Sequence, residues 1–262
     1  MSIITFLTDF GMNSNYVAQM KGVTLSLTDA TLIDVTHAVT PHNIREGAFI
    51  LQTAAPYFPV GTVHVAVVDP SVGTDRRNIF ITTSSQILVG PDNGLLLPAA
   101  RSLGDFTVYE ITNEKYMLDS ISSTFHGRDI FAPVAAYITK GVSFEDIGNK
   151  IDNFVDMDFG RGEVADNTAT GKIIYVDRFG NLITNIAGDL LLKLLDYNKK
   201  IKISIGKKRI EIPFAKSYGF VKKGEFLATV GSSNFFEISM NQGNAAKKLN
   251  VKSDDKIQIR FD

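Results

Sequence analysis

Short apolar runs rich in β-branched residues alternate with helical patterns through the first half of the chain. "IITFL", "TLIDVT", "TVHVAVVD", "NIFITT", "QILVG" and "FTVYEI" read as strands. "YVAQMKGVTLSL", "NIREGAFILQTAAPYF", a short stretch near "GLLLPAARSL" and "DIFAPVAAYITKG" carry apolar positions at helical spacing. "TVHVAVVD" has no polar alternation, as expected of a strand covered on both faces. This rhythm predicts an α/β domain with a mostly parallel sheet flanked by helices. The pattern breaks at "NFVDMDFGRGEVADNTATG", which is rich in Asp, Asn and Gly and reads as a linker. After it, "GKIIYVD", "NLITNI", "KISI", "RIEIPF", "FLATVG", "FFEIS" and "KIQIRF" predict short antiparallel strands closing a small β-barrel. The expected division is residues 1–160 and 161–262.

Composition narrows the function classes. The chain has 262 residues, a formal net charge of −1 with both signs interspersed, and no cysteine. Near-neutral charge gives no footprint for nucleic acid. Without cysteine there is no disulfide or thiolate chemistry, which fits a reducing cytoplasm. No run approaches a membrane span, and "MSIITFLTDFG" enters a strand directly with no signal peptide, so the expected location is cytoplasmic.

Polar residues collect where strands end, the edge at which open α/β sheets bind ligands. "FLTDFG" puts Asp9 after the first strand, where it reads as a ribose-hydroxyl acceptor or as an Asx-turn residue. "VVDPSVGTDRR" places Asp69 after a central strand, followed by Arg76 and Arg77. "VGPDNG" carries Asp92 and Asn93. "STFHGRD" sets His126, Arg128 and Asp129 at the mouth of a helix. Walker, GxGxxG and GxSxG signatures are missing, and His37, His42 and His64 lack metal-ligand spacing. His64 reads as a satisfied core residue. A zinc site is not expected, while Asp9, Asp34 and Asp69 leave a carboxylate-bound Mg²⁺ open.

Six strings in order, "FLTDFG…YVAQMKG", "VVDPSVGTDRR", "VGPDNGLL", "TFHGRDIFAPVAA", "DRFGNLITNI" and "GSSNFFEISMNQGNAA", together resemble the S-adenosyl-L-methionine (SAM) hydroxide adenosyltransferases, or SAM hydrolases, relatives of the fluorinase and chlorinase enzymes. The resemblance spans nearly the whole chain. It implies a Rossmann-like N-terminal domain, a C-terminal β-barrel, no cofactor or metal, and a homotrimer. In that trimer SAM would lie between the N-terminal domain of one subunit and the C-terminal domain of its neighbour. The implied reaction converts SAM and water to adenosine and L-methionine, with Asp69, Arg76 and His126 handling the water and Asp129 capping the helix behind. By the same resemblance Asp9 meets the ribose hydroxyls, Asp177 the methionine ammonium, Phe179 and Asn181 the adenine, and Ser232 and Ser233 the carboxylate. Backbone around Met240 helps to read the adenine, and Asn93 lines the pocket.

Two departures stand out. Ser14 replaces the second aspartate of the family's D-F-G-x-x-D-x-Y loop, and Ser233 stands where the halogenating relatives carry arginine. The second favours the hydrolase branch. A SAM-dependent halogenase, a SAM- or adenosine-binding regulatory trimer with little turnover, and a Mg²⁺-dependent nucleotide hydrolase are the competing readings.

Overall fold

The computed structural model describes residues 2–261, and the chain divides into two compact units between Asp158 and Phe159. The first holds seven strands: β1 (Ile3–Thr8), β2 (Thr31–Thr36), β3 (Val63–Val67), β4 (Asn78–Thr83), β5 (Ile87–Pro91), β6 (Phe106–Ile111) and β7 (Gly148–Ile151). They lie in the order β2-β1-β3-β5-β4-β6-β7. The pairings β2-β1, β1-β3 and β3-β5 are parallel, and the remaining three are antiparallel. The expected mostly parallel sheet is therefore mixed. The reason is local: β4 and β5 are joined through the three residues Ser84, Ser85 and Gln86, too short a link for the helical crossover that parallel neighbours need.

Every residue of β3 is buried, matching its unbroken apolar run. Helices α1 (Tyr16–Leu27), α2 (Ile44–Ala54), α3 (Leu97–Ser102) and α4 (Ala132–Thr139) flank the sheet. Ile4, Phe6, Val65, Phe80 and Phe131 belong to one apolar cluster between sheet and helices. His64 is a core residue, as expected. Its Nδ1 lies 2.7 Å from Thr5 Oγ1 and its Nε2 2.9 Å from Gln86 Oε1. Burial pushes its imidazole down to about 4, so it stays neutral.

The second unit contains β8 (Glu163–Ala165), β9 (Thr168–Val176), β10 (Leu182–Ala187), β11 (Lys200–Ile205), β12 (Lys208–Pro213), β13 (Phe226–Val230), β14 (Phe235–Met240) and β15 (Lys256–Arg260). Seven follow the order β12-β11-β15-β9-β10-β14-β13, with β8 beside β9 and every pairing antiparallel. A bridge between Phe214 and Ala228 joins the two ends, giving a nearly closed barrel filled by Ile173, Ile186, Ile203, Phe236 and Ile257. The "linker" reading overran the true break. Asp166, in the left-handed region at φ 46°, turns the chain with Asn167 so that β8 and β9 form a hairpin inside that polar stretch. Among the described residues no helix is long and apolar enough to cross a membrane.

Candidate active site

Because β1, β3 and β5 are parallel neighbours, Asp9, Asp69 and Asn93 all follow strands on one rim of the sheet. The loop after β3, Val68 to Arg77, is tightly turned. Gly73 sits at φ 76°, and a β-carbon there would lie 2.0 Å from the Ser123 carbonyl oxygen. This close approach seats the Asp69–Arg76 loop against the Ser123–His126 loop.

The result is a trio centred on Arg76. Its Nε lies 3.0 Å from each Asp69 oxygen and its Nη2 2.5 Å from Oδ2, a fork-on-carboxylate pair with both side chains under a tenth exposed. The same Nη2 is 2.9 Å from His126 Nδ1. Nη1 donates to Asn78 Oδ1 at 2.6 Å and to the Arg77 carbonyl at 3.1 Å. The guanidinium also stands 5.4 Å from the centre of the Phe131 ring. Arginine has only donors, so Nδ1 of His126 must present a lone pair and the neutral ring carries its proton at Nε2. Burial first, and the Arg76 charge second, hold the His126 pKa below its ordinary 6.5, outweighing the pull of Asp69 and Asp129.

His126 opens into a π-helical turn, Gly127–Phe131, that leads into α4. Such wide turns re-aim side chains and occur often at functional sites. Asp129 does not cap the helix, contrary to expectation. Its carboxylate is fully buried, accepts the Ser122 backbone N–H at 2.8 Å and pairs with Arg128 at 2.6 Å, tying the preceding loop down. Arg128 in turn reaches Gln19 on α1 and stands 5.0 Å from the Phe125 ring. Phe10, Tyr16 and Phe125 meet edge to face at 5.1–5.8 Å, joining the loop after β1 to the His126 loop.

The other rim residues differ in their freedom. Asp9 is half-buried and accepts the His42 backbone N–H at 2.8 Å through one oxygen. Asn93 is engaged at both ends of its amide, donating to the Val68 carbonyl and accepting from the Leu95 N–H. Asp92 is a structural residue, paired with Arg77 and holding the Val155 N–H. The aspartates considered for Mg²⁺ are not grouped: Asp34 pairs with Lys21 and lies 2.9 Å from His37, while Asp69 is taken by Arg76. Among the described residues no three His, Asp or Glu side chains are placed to hold a metal.

In the second unit, "DRFGN" folds as a tight turn on Asp177, whose Oδ1 accepts the Phe179 and Asn181 N–H groups and whose Oδ2 accepts the Asn181 side-chain amide. Gly180 at φ 84° makes this turn, with Asn244 packed against its α-carbon. Asp177, Phe179, Asn181 and Met240 line an open cavity of about 580 Å³ together with Tyr218 and Asn241–Gly243. Phe179 is 75% exposed, an apolar ring presented to the cavity. Ser232 and Ser233 are exposed in the turn between β13 and β14, at the other end of β14 from Met240, and do not line it. Sequence reading missed Asn78, Phe131 and Tyr218. An asparagine two residues past Arg76 is the only sequence signal among the three, because the others are placed by tertiary packing.

Comparison with known proteins agrees with these motifs. The model of the SAM hydroxide adenosyltransferase N-terminal domain matches residues 4–148, and that of the C-terminal domain matches residues 171–258. The chain is 42% identical to (R)-S-adenosyl-L-methionine hydrolase of Methanocaldococcus jannaschii, covering 100% of this chain and 97% of that protein. It is 27% identical to a fluorinase of Nocardia brasiliensis, covering 98% and 96%. A crystal structure of an uncharacterized conserved protein from Thermotoga maritima superposes with a TM-score of 0.93 at 39% identity, covering 98% of this chain and 99% of that one. The chain belongs to the SAM hydroxide adenosyltransferase family.

Proposed function

We propose that this protein hydrolyses SAM to adenosine and L-methionine, using water positioned by Asp69, Arg76 and His126. The observation that carries the reading is the Arg76 hub, which joins a buried carboxylate to the unprotonated nitrogen of a neutral histidine. The hydrolase named among its relatives supports the same chemistry.

Attack on the ribose C5′ expels a neutral thioether, so the leaving group needs no acid. The demand falls on water, a weak nucleophile with a pKa of about 15.7. His126 Nε2–H donates to the water oxygen and fixes its direction. Arg76 favours the hydroxide character that develops, and Asp69 is the base left in the trio. The oxygen lone pair forms the C5′–O bond as the C–S pair returns to sulfur, and the proton leaves through Asp69 to solvent. Holding the reactants in line contributes several kcal/mol. Asp9 binds the ribose hydroxyls, Asn93 shapes the rim, Phe179, Asn181 and Met240 receive the adenine, and Asp177, Ser232 and Ser233 the methionine end. The first unit serves as the Rossmann-like SAM-binding domain, and a homotrimer brings it to a neighbour's barrel. The halogenase reading is weaker because a halide pocket wants neutral donors, whereas this rim carries a fixed carboxylate.

Purified protein incubated with SAM and EDTA is expected to give adenosine and methionine in equal amounts, with or without chloride or fluoride. Intact SAM, or a 5′-halo-adenosine, would overturn the proposal. The pH profile is a second check. Protonating His126 puts a proton on Nδ1 against Arg76, so kcat/KM should fall as pH drops through a pKa below 6.5. In His126→Gln that acid limb should disappear. A limb centred above 6.5, or one retained in the variant, contradicts the assigned tautomer.

A further inference from the structure

Strand β14 alternates as a barrel strand should, with Phe236 and Ile238 in the core. Glu237 and Ser239 point the other way and would be expected in solvent, yet they are only 6% and 0% exposed. Glu237 Oε1 accepts from Tyr218 Oη at 2.8 Å and from Ser239 Oγ at 2.5 Å. Among the described residues no cation pairs with this carboxylate; both hydrogen bonds come from hydroxyls. Its other oxygen lies 2.8 Å from where a β-carbon on Gly231 would sit, beside the Ser232–Ser233 turn. Tyr218 stands in a single turn of 3₁₀ helix, Tyr218–Phe220, is 42% exposed, and lines the same cavity as Asp177 and Phe179.

A buried carboxylate without a counter-charge is costly, so hydroxyls that satisfy it are held firmly. A phenol has one proton, and here that proton belongs to Glu237. Any substrate group that reaches Tyr218 Oη must therefore donate to it. We propose that Glu237 is a positioning residue for substrate recognition: it fixes the Tyr218 ring in the wall of the cavity and leaves the phenolic oxygen as an acceptor for an N–H or O–H group of the adenosyl substrate. The proposal rests on the SAM reading above. Burial and then the Glu237 contact push the Tyr218 pKa upward, so the phenol stays protonated across the working range.

The test compares Tyr218→Phe, Glu237→Gln and the double variant in steady-state SAM turnover, with adenosine binding measured in parallel by calorimetry. Each single variant is expected to raise KM for SAM, and to weaken adenosine or SAM binding, by about tenfold, the worth of one hydrogen bond. The kcat should stay within about twofold, because neither group touches the reacting atoms. The double variant should be no worse than either single, since both break one unit. A purely structural Glu237 would lower the melting temperature of Glu237→Gln and leave KM of Tyr218→Phe unchanged, which overturns the proposal. If the wild type binds SAM but does not cleave it, the hydrolase reading fails while weakened binding in both variants still supports this one. Wild-type protein that binds neither SAM nor adenosine overturns both.

Discussion

Replacing Arg76 with lysine is expected to lower kcat for SAM hydrolysis by about 10²–10³-fold and to leave KM within a few fold, the scale of losing a preorganised charge-stabilising donor. The charge survives the change, but the geometry does not. Arg76 uses Nε and Nη2 on Asp69, the same Nη2 on His126, and Nη1 on Asn78. One ammonium on a flexible stem cannot span those partners in a plane. Released from its donor, His126 can flip its proton to Nδ1 and no longer present Nε2–H to the water. Stopped-flow or steady-state turnover with a circular-dichroism check of folding decides it. Activity within about tenfold of wild type would mean that only the charge matters.

Substituting Gly73 with alanine is the second large effect. A β-carbon would meet the Ser123 carbonyl at 2.0 Å, and the backbone is already at φ 76°. Backbone carbonyls do not move aside as flexible side chains do, so the Asp69–Arg76 loop must lift away from His126. The expected cost is about 2–4 kcal/mol of stability, with turnover falling by about 10²-fold because a displacement near 1 Å is enough. Gly141→Ala is the control, since it has a similar φ of 81° but open space around it. It should lose only about 1 kcal/mol and keep full activity. Equal losses in the two variants would show that backbone strain, not the contact with Ser123, governs the loop.

Local signals in the chain carried much of this architecture. The apolar run of β3, the helical spacing of α1 and the short strands after Gly171 are consequences of burial pattern, and they are legible before any fold is known. The rim placement of Asp9, Asp69 and Asn93 follows from parallel pairing of β1, β3 and β5. What was not legible is non-local. The mixed sheet depends on a three-residue link whose shortness matters only once the partners are known. Asp129 reads as a helix cap because of its position, but a π-helical turn redirects it to Ser122. Glu237 alternates onto the outer face of its strand, and nothing local shows that Tyr218 reaches it.

The central claim is that water bound at the Asp69–Arg76–His126 trio attacks C5′ directly, and a single turnover in H₂¹⁸O tests it. Enzyme in excess over SAM should yield adenosine carrying ¹⁸O at the 5′ position from the first turnover, with unlabelled methionine. First-turnover adenosine without label, followed by label in the Asp69 carboxylate, would mean that Asp69 is the nucleophile and that an ester precedes hydrolysis, contradicting the account.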